Sequence, residues 1–328
     1  MSNIYIDAVH DNPPTEFSDE TQAACNEIKE AVDGWGSDEE ALINILGSKT
    51  IEELYDIYYC YESMFGKSVQ HVLKSEIGSG DFGLAMQLLS MPGDGCDAKI
   101  VREATKGMGA QERILYPILG ARSNAEIAMV KEAYFRFYDE DMAVRLNDEL
   151  GGDFEKFIFH CLQGLQEEYD EEIHNAEKAE EDADKFFEST QGDWWGTDEK
   201  AVFQIICDAP TEHMINIDKV YQAKYEKTLE EVLDTELGGE LEKAARFALG
   251  FKVDPARQVA KLIKLSARGL GTDELLLTCT IIRYRKFLKD AQEKYQELYG
   301  QTLSEVVSEE VGGKFQTLLL KVVEKYTE

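Results

Sequence analysis

No stretch of this chain approaches the roughly 20 consecutive apolar residues that a membrane-spanning helix needs, and its opening, MSNIYIDAVHDNPPTEFSDE, has neither the basic start nor the apolar run of a secretory leader. The cytosol is the expected compartment. Paired cysteines are missing too. Cys25, Cys60, Cys96, Cys161, Cys207 and Cys279 stand singly, with no CxxC and no Cys/His spacing suited to zinc, so they are expected to be reduced and mostly buried. The five histidines, His10, His71, His160, His174 and His213, form no HExxH and adjoin no nucleophile pattern. Neither a Walker loop nor a GxGxxG cradle occurs, GLGTDE lacks the lysine of a P-loop, and no EF-hand run is present. These absences argue against an enzyme. Basic charge is also scarce, with 34 Lys and Arg against 65 Asp and Glu and a net charge of −31. That balance disfavours nucleic acid and repels an anionic surface unless a cation bridges the two.

What the chain does have is a large apolar share, 43%, beside 30% charged residues, the composition of a folded globular protein. At 328 residues it is long enough for two domains or one repetitive assembly. The glycines favour the second reading. VDGWGSDEE at 32–40 recurs as TKGMGAQER at 105–113, DWWGTDEK at 193–200 and ARGLGTDEL at 267–275. Marked by the second glycine of each, Gly36, Gly109, Gly196 and Gly271 divide the chain into four units of similar length, with the middle interval the longest. A second stretch follows each loop: LKSEIGSGDF at 73–82, LNDELGGDF at 146–154, LDTELGGEL at 233–241 and VSEEVGGKF at 307–315. Its glutamate keeps one offset from the marker glycine in three units, at Glu76, Glu149 and Glu236, and falls a single position short of it in the fourth, at Glu310. Each glutamate also follows an aromatic at one constant interval, from Phe65, Tyr138, Tyr225 and Tyr299, so the register extends beyond one residue type.

Between the loops the apolar period is helical. Ala24, Ile28, Ala31 and Val32 follow the i, i+4, i+7, i+8 rule for one buried face. Ser37 with Glu40, Thr50 with Glu53 and Ser123 with Glu126 carry the S/T-x-x-E signature of helix starts. No comparable strand alternation occurs, and the pattern predicts an all-α chain of four or five short helices per unit. The longer middle interval is explained by QEEYDEEIHNAEKAEEDADK at 166–185, acidic and almost free of large apolar residues, which reads as a solvated connector joining a first pair of units to a second.

Gly-x-Gly between two helices allows positive φ and turns carbonyl oxygens to one side. Carbonyls, one carboxylate and water are the hard oxygen donors that Ca²⁺ takes in six to eight positions. One GxG is an ordinary helix end. Four of them paired in register with glutamates point to cation sites built from ligands far apart in sequence.

With those motifs in place, the chain closely resembles the annexin family, whose repeat carries G-x-G-T-D-E followed by an acid at a fixed distance beyond the threonine. The resemblance runs from about Phe17 to the end. It implies an all-α fold of four repeats with about five helices each, arranged as a slightly curved disc, with Ca²⁺ as cofactor and reversible docking on anionic phospholipid. The implied division is a short tail at 1–16, repeats at 17–91, 92–165, 182–252 and 253–328, and the acidic connector at 166–181. The implied ligands are the carbonyls of Val32, Gly34 and Gly36 with Glu76, and of Thr105, Gly107 and Gly109 with Glu149. In the second pair they are those of Gln191, Trp194 and Gly196 with Glu236, and of Ala267, Gly269 and Gly271 with Glu310.

Three departures from the family pattern carry expectations of their own. Ala110 and Gln111 stand where the family prefers Thr and Asp, which removes a helix cap from the second loop and predicts weaker binding there. The third loop lacks the first glycine of its pair, leaving its most N-terminal ligand open between Gln191 and Gly192. The one-residue deficit of the fourth unit is placed near IIRYRKF, ahead of the segment that positions Glu310.

The residue at the tip of each loop is apolar among polar neighbours: Trp35, Met108, Trp195 and Leu270. Either each folds back on its own helices, or the four contact a membrane beside cations that neutralise headgroup phosphate. The anionic phospholipid surface is the expected partner, with association peripheral and calcium-dependent. Protein partners or self-association on the membrane stay open. The rival reading is an annexin-like structural protein of the cytoskeleton, giardin-like, for which calcium is secondary.

Overall fold

The computed structural model describes residues 13–34, 36–192, 197–268 and 271–328. Among the described residues there is no strand, and the helices come in four sets of five. The first set is α1 (Asp19–Val32), α2 (Glu39–Gly47), α3 (Ile51–Phe65), α4 (Val69–Glu76) and α5 (Asp81–Leu89). The second is α6 (Gly93–Ala104), α7 (Glu112–Leu119), α8 (Asn124–Tyr138), α9 (Met142–Glu149) and α10 (Gly152–Gln163). In the third, α11 (Ala176–Phe187) precedes α12 (Glu199–Asp208), α13 (Thr211–Tyr225), α14 (Leu229–Glu236) and α15 (Gly239–Val253). The last comprises α16 (Pro255–Ser266), α17 (Glu274–Arg283), α18 (Leu288–Tyr299), α19 (Leu303–Glu310) and α20 (Gly313–Thr327). Each repeated glycine loop links the first helix of a set to the second. Each repeated glutamate is the last residue of the fourth.

Local chemistry accounts for these boundaries. The buried face of α1 is the expected one, with Ala24, Ile28, Ala31 and Val32 under cover. The boxes at Thr50/Glu53 and Ser123/Glu126 form in full at the starts of α3 and α8, and two more, Thr228/Glu231 and Thr302/Glu305, open α14 and α19. Losing such a cap costs about 1 kcal/mol. The box expected at Ser37/Glu40 does not form. Asp38 caps α2 instead, its carboxylate accepting from Ala41 N at 3.0 Å, because a carboxylate one residue closer to the helix reaches the free N–H groups better.

Contacts divide the chain into two compact units. Among the described residues, one is Ile100–Gln258; the other is the stretch from residue 13 to Lys99 together with Val259–Glu328. The second and third sets therefore share a unit, and the first shares one with the fourth. The acidic stretch at 166–185 thus lies inside a unit rather than between two pairs. It is docked as well. Gln166 exchanges two hydrogen bonds with the Asn124 side chain, at 2.8 and 3.1 Å, and Glu167 N donates to Asp208 O at 2.8 Å. Its second half is α11, which buries Ala179, Ala183 and Phe186. An i, i+4, i+7 stripe made mostly of alanine is easily hidden among acids, which is why composition read the segment as solvated.

Candidate metal-binding loops

All four loops are closed by one hydrogen bond of the same kind. Asp38 N donates to Ala31 O at 2.7 Å, and Gln111 N to Ala104 O, Asp198 N to Ser189 O and Asp273 N to Ser266 O, each at 2.8 Å. Within the closed loops Gly34 and Gly36 have φ of 125° and 90°, Gly107 and Gly109 of 94° and 83°, and Gly271 of 108°. A Cβ at Gly34, Gly36, Gly107 or Gly109 would meet nothing within 4 Å, so it is the left-handed backbone that requires glycine there, not lack of room.

The closing bond spans seven residues in three loops and nine in the third. A single π-helical turn, Glu188–Gly192, lies within this longer loop, as such turns do where a residue is inserted. Counted from the bond, Thr190 holds the position of Val32, Thr105 and Ala267, and Gln191 follows it. Thr190 and Thr105 confirm the equivalence, since each hydroxyl donates 2.8 Å to the carbonyl four residues back, Phe186 O and Val101 O. The candidate ligands Trp194, Gly196 and Gly269, and the tips Trp35, Trp195 and Leu270, lie outside the described residues. The fourth tip, Met108, is fully exposed and does not fold back.

The fold brings every glutamate to its own loop. Glu76 shares a recess of about 300 Å³ with Val32, Asp33 and Tyr61, beside Lys29, which pairs with Asp33. Glu236 Oε1 is 3.5 Å from the Gln191 side-chain amide. Glu310 is bound by the Thr272 hydroxyl, 2.8 Å from its main-chain carbonyl and 2.5 Å from its carboxylate. In the second loop the link is a cation. Arg145 Nη2 donates to Thr105 O and lies 3.1 Å from Glu149 Oε1.

A carboxylate on the last residue of an eight-residue helix faces the negative end of the helix dipole, where a cation is favoured. Four glutamates share this unfavourable place, each beside a carbonyl-bearing loop. Among the described residues no three His, Cys, Asp or Glu side chains group as a metal cluster. Any ion held here takes main-chain oxygens and one carboxylate, a set suited to Ca²⁺. The Ser37 hydroxyl, buried and without a hydrogen-bond partner among the described residues, adds a further free oxygen at the first loop.

The sequence reading passed over one repeated residue. Fifteen positions before each glutamate stands a buried tyrosine, Tyr61, Tyr134, Tyr221 or Tyr295, its ring packed at a steep angle against the aromatic four residues later. Ring centroids are 4.7 Å apart for Tyr61 and Phe65, 4.9 Å for Tyr134 and Tyr138, 4.7 Å for Tyr221 and Tyr225, and 4.8 Å for Tyr295 and Tyr299. In the first repeat the pair lines the recess that holds Glu76, and each of the four pairs contributes about 0.5–1.5 kcal/mol beyond its buried area. Burial pushes the Tyr295 phenol up to about 12, with Tyr299 and Glu310 adding to the effect. The tyrosine-to-glutamate interval is constant, so the deficit of the fourth repeat falls before Tyr295. There a 3₁₀ turn, Arg285–Phe287, replaces the capping box that opens α3 and α8. The lost cap of the second loop is also seen: Gln111 opens α7 with no side-chain bond to the helix.

Comparison with known proteins agrees with this architecture repeat by repeat. The annexin family model matches residues 22–89, 96–160, 181–246 and 258–322. Annexin A13 of Canis lupus familiaris is 31% identical over 297 residues, covering 90% of this chain and 93% of that protein. Among solved structures, annexin III superposes with a TM-score of 0.83 at 25% identity, covering 94% of this chain and 95% of the other. A structure described as calcium-bound annexin (Sm)1 superposes with a TM-score of 0.79 at 26% identity, covering 95% and 92%. Four matched repeats, each ending its fourth helix on a glutamate, make the chain a member of the annexin family.

Proposed function

We propose that this chain binds anionic phospholipid membranes reversibly and in a calcium-dependent way, its loops bridging protein oxygens to lipid phosphate. The observation that carries the reading is the convergence of a distant, helix-terminal glutamate on a carbonyl-rich loop in each repeat. The donors in the first loop are the carbonyls of Val32, Gly34 and Gly36 with Glu76. In the third they are Gln191 (one position beyond the counterpart of Val32), Trp194 and Gly196 with Glu236, and in the fourth Ala267, Gly269 and Gly271 with Glu310. Thr105, Gly107, Gly109 and Glu149 form the corresponding set with Arg145 lodged in it. The likeness to a calcium-bound annexin supports the choice of ion.

The charge of −31 makes the ion necessary, since the bare protein is repelled by an anionic surface. No described helix is long and apolar enough to cross a membrane, so attachment of this kind is peripheral. Met108, and with it Trp35, Trp195 and Leu270, would enter the headgroup region beside the bridging ions. The role is one of binding, not catalysis, and cytoplasmic protein would move to membranes when calcium rises.

Sedimentation with vesicles of phosphatidylserine and phosphatidylcholine tests the reading. The protein pellets with calcium, returns to the supernatant on adding chelator, and stays there throughout when the vesicles carry no anionic lipid. Pelleting that calcium leaves unchanged would falsify it.

A further inference from the structure

We propose that the second loop carries its own cation: the Arg145 guanidinium fills the place that a calcium ion takes in the other repeats, so this loop is closed to calcium. The inference rests on the functional reading above and concerns one of its four loops. Arg145 Nη2 donates to the main-chain carbonyl of Thr105, the counterpart of Val32 and Ala267, and the same nitrogen lies 3.1 Å from Glu149 Oε1. One positive group thus holds together two oxygens, distant in sequence, that a metal would otherwise join. Its side chain is only 23% exposed and that of Glu149 13%, so solvent screens the pair weakly.

No other repeat has this group. The residue four before the glutamate is Val72 in the first repeat, Val232 in the third and Val306 in the fourth. A valine there offers no charge and leaves the carbonyl and carboxylate to an outside ion. A divalent cation entering the second loop would have to break the Thr105 bond and sit beside the displaced guanidinium. The same loop has lost the hydroxyl at position 110 and the capping carboxylate at 111 that the fourth loop keeps as Thr272 and Asp273. Arginine suits the task because each terminal nitrogen of its guanidinium carries two N–H donors, so Nη2 alone can meet two oxygens at once. The second loop is then held closed whether or not calcium is present, with Met108 already outside.

Calcium titration calorimetry on the full chain decides the matter by counting ions. Arg145→Val should bind one more Ca²⁺ than the parent, and Arg145→Val combined with Glu149→Gln should lose that extra ion. In the parent, Glu149→Gln should leave the number of ions unchanged, whereas Glu310→Gln removes one. Because Glu149→Gln is nearly isosteric, it keeps the test valid if Arg145→Val folds poorly. An ion lost on Glu149→Gln alone, or none gained by a folded Arg145→Val, overturns the inference. A parent that binds no calcium refutes the functional reading instead, and a gain from none to one in Arg145→Val would still support the tethered guanidinium.

Discussion

The hydroxyl of Thr272 binds the glutamate that lies 38 residues later, reaching Glu310 O at 2.8 Å and the carboxylate at 2.5 Å. One short side chain therefore sets both the end of α19 and the direction of its terminal carboxylate. Removing it should loosen the ligand without touching the ligand itself. Thr272→Val is expected to cost about 1 kcal/mol of stability, the net value of a typical hydrogen bond, and to raise the calcium needed for half-maximal vesicle binding several-fold. Thr272→Ser should restore both. Equal calcium titrations for the valine and serine variants would remove Thr272 from the site.

Met108 tests the loop tips in the only place where the tip is described. Its side chain is fully exposed, so Met108→Ser should change the unfolding free energy by less than about 0.5 kcal/mol, as for other surface substitutions. If the tip enters the membrane, the same change should weaken docking by roughly 1–3 kcal/mol, scaled by how completely the side chain is buried there. Denaturant unfolding and vesicle partitioning, measured on one preparation, separate the two. Partitioning identical to the parent would mean that this loop stays in water.

Much of this could be read from residues alone, for a physical reason. A loop glycine and a glutamate at a nearly constant offset recur four times in the sequence, and helix periodicity survives divergence because each repeat must bury one face. What escaped depends on partners distant in sequence. Arg145 looks like any surface arginine until Thr105, far earlier in the chain, is found beneath its guanidinium. The repeated tyrosines were legible as a constant offset but were lost among the other tyrosines of the chain. The sharing of one unit by the first and fourth repeats leaves no local mark at all. The docking of α11 was masked because alanine contributes little to hydrophobicity while packing closely.

Inside the unit that joins the first and fourth repeats, Asp97 on α6 and Arg283 on α17 form an ion pair at 2.5 Å with almost no exposure, 0% and 5%. Such a pair adds little over a well-packed apolar substitute, yet breaking it strands a charge in the core. Asp97→Ala should destabilise the protein by about 3–5 kcal/mol. Replacing both partners with apolar residues of similar volume should recover most of that loss. A double-mutant cycle in denaturant reads the coupling directly, and additive single losses would show that the two residues do not act as a pair.

The last prediction concerns pH. His160 Nε2 lies 2.8 Å from Asp208 Oδ1 with its ring largely buried, and the hydrogen bond to that carboxylate raises the imidazole above its ordinary 6.5, against the opposing effect of burial. A histidine whose folded value exceeds its unfolded one binds more protons in the native state, so it stabilises the fold fully below about pH 6.5 and loses that contribution as pH rises through the folded value. His160→Asn should therefore cost the most at about pH 5.5, on the order of 1.5–3 kcal/mol for a charge-assisted hydrogen bond, and clearly less at about pH 8.5. Asp208→Asn should flatten the same pH profile. Urea unfolding of the parent and both variants at the two pH values is sufficient, and a His160→Asn loss that is equal at both, or larger at the higher pH, would show that the ring acts there as a neutral packing group.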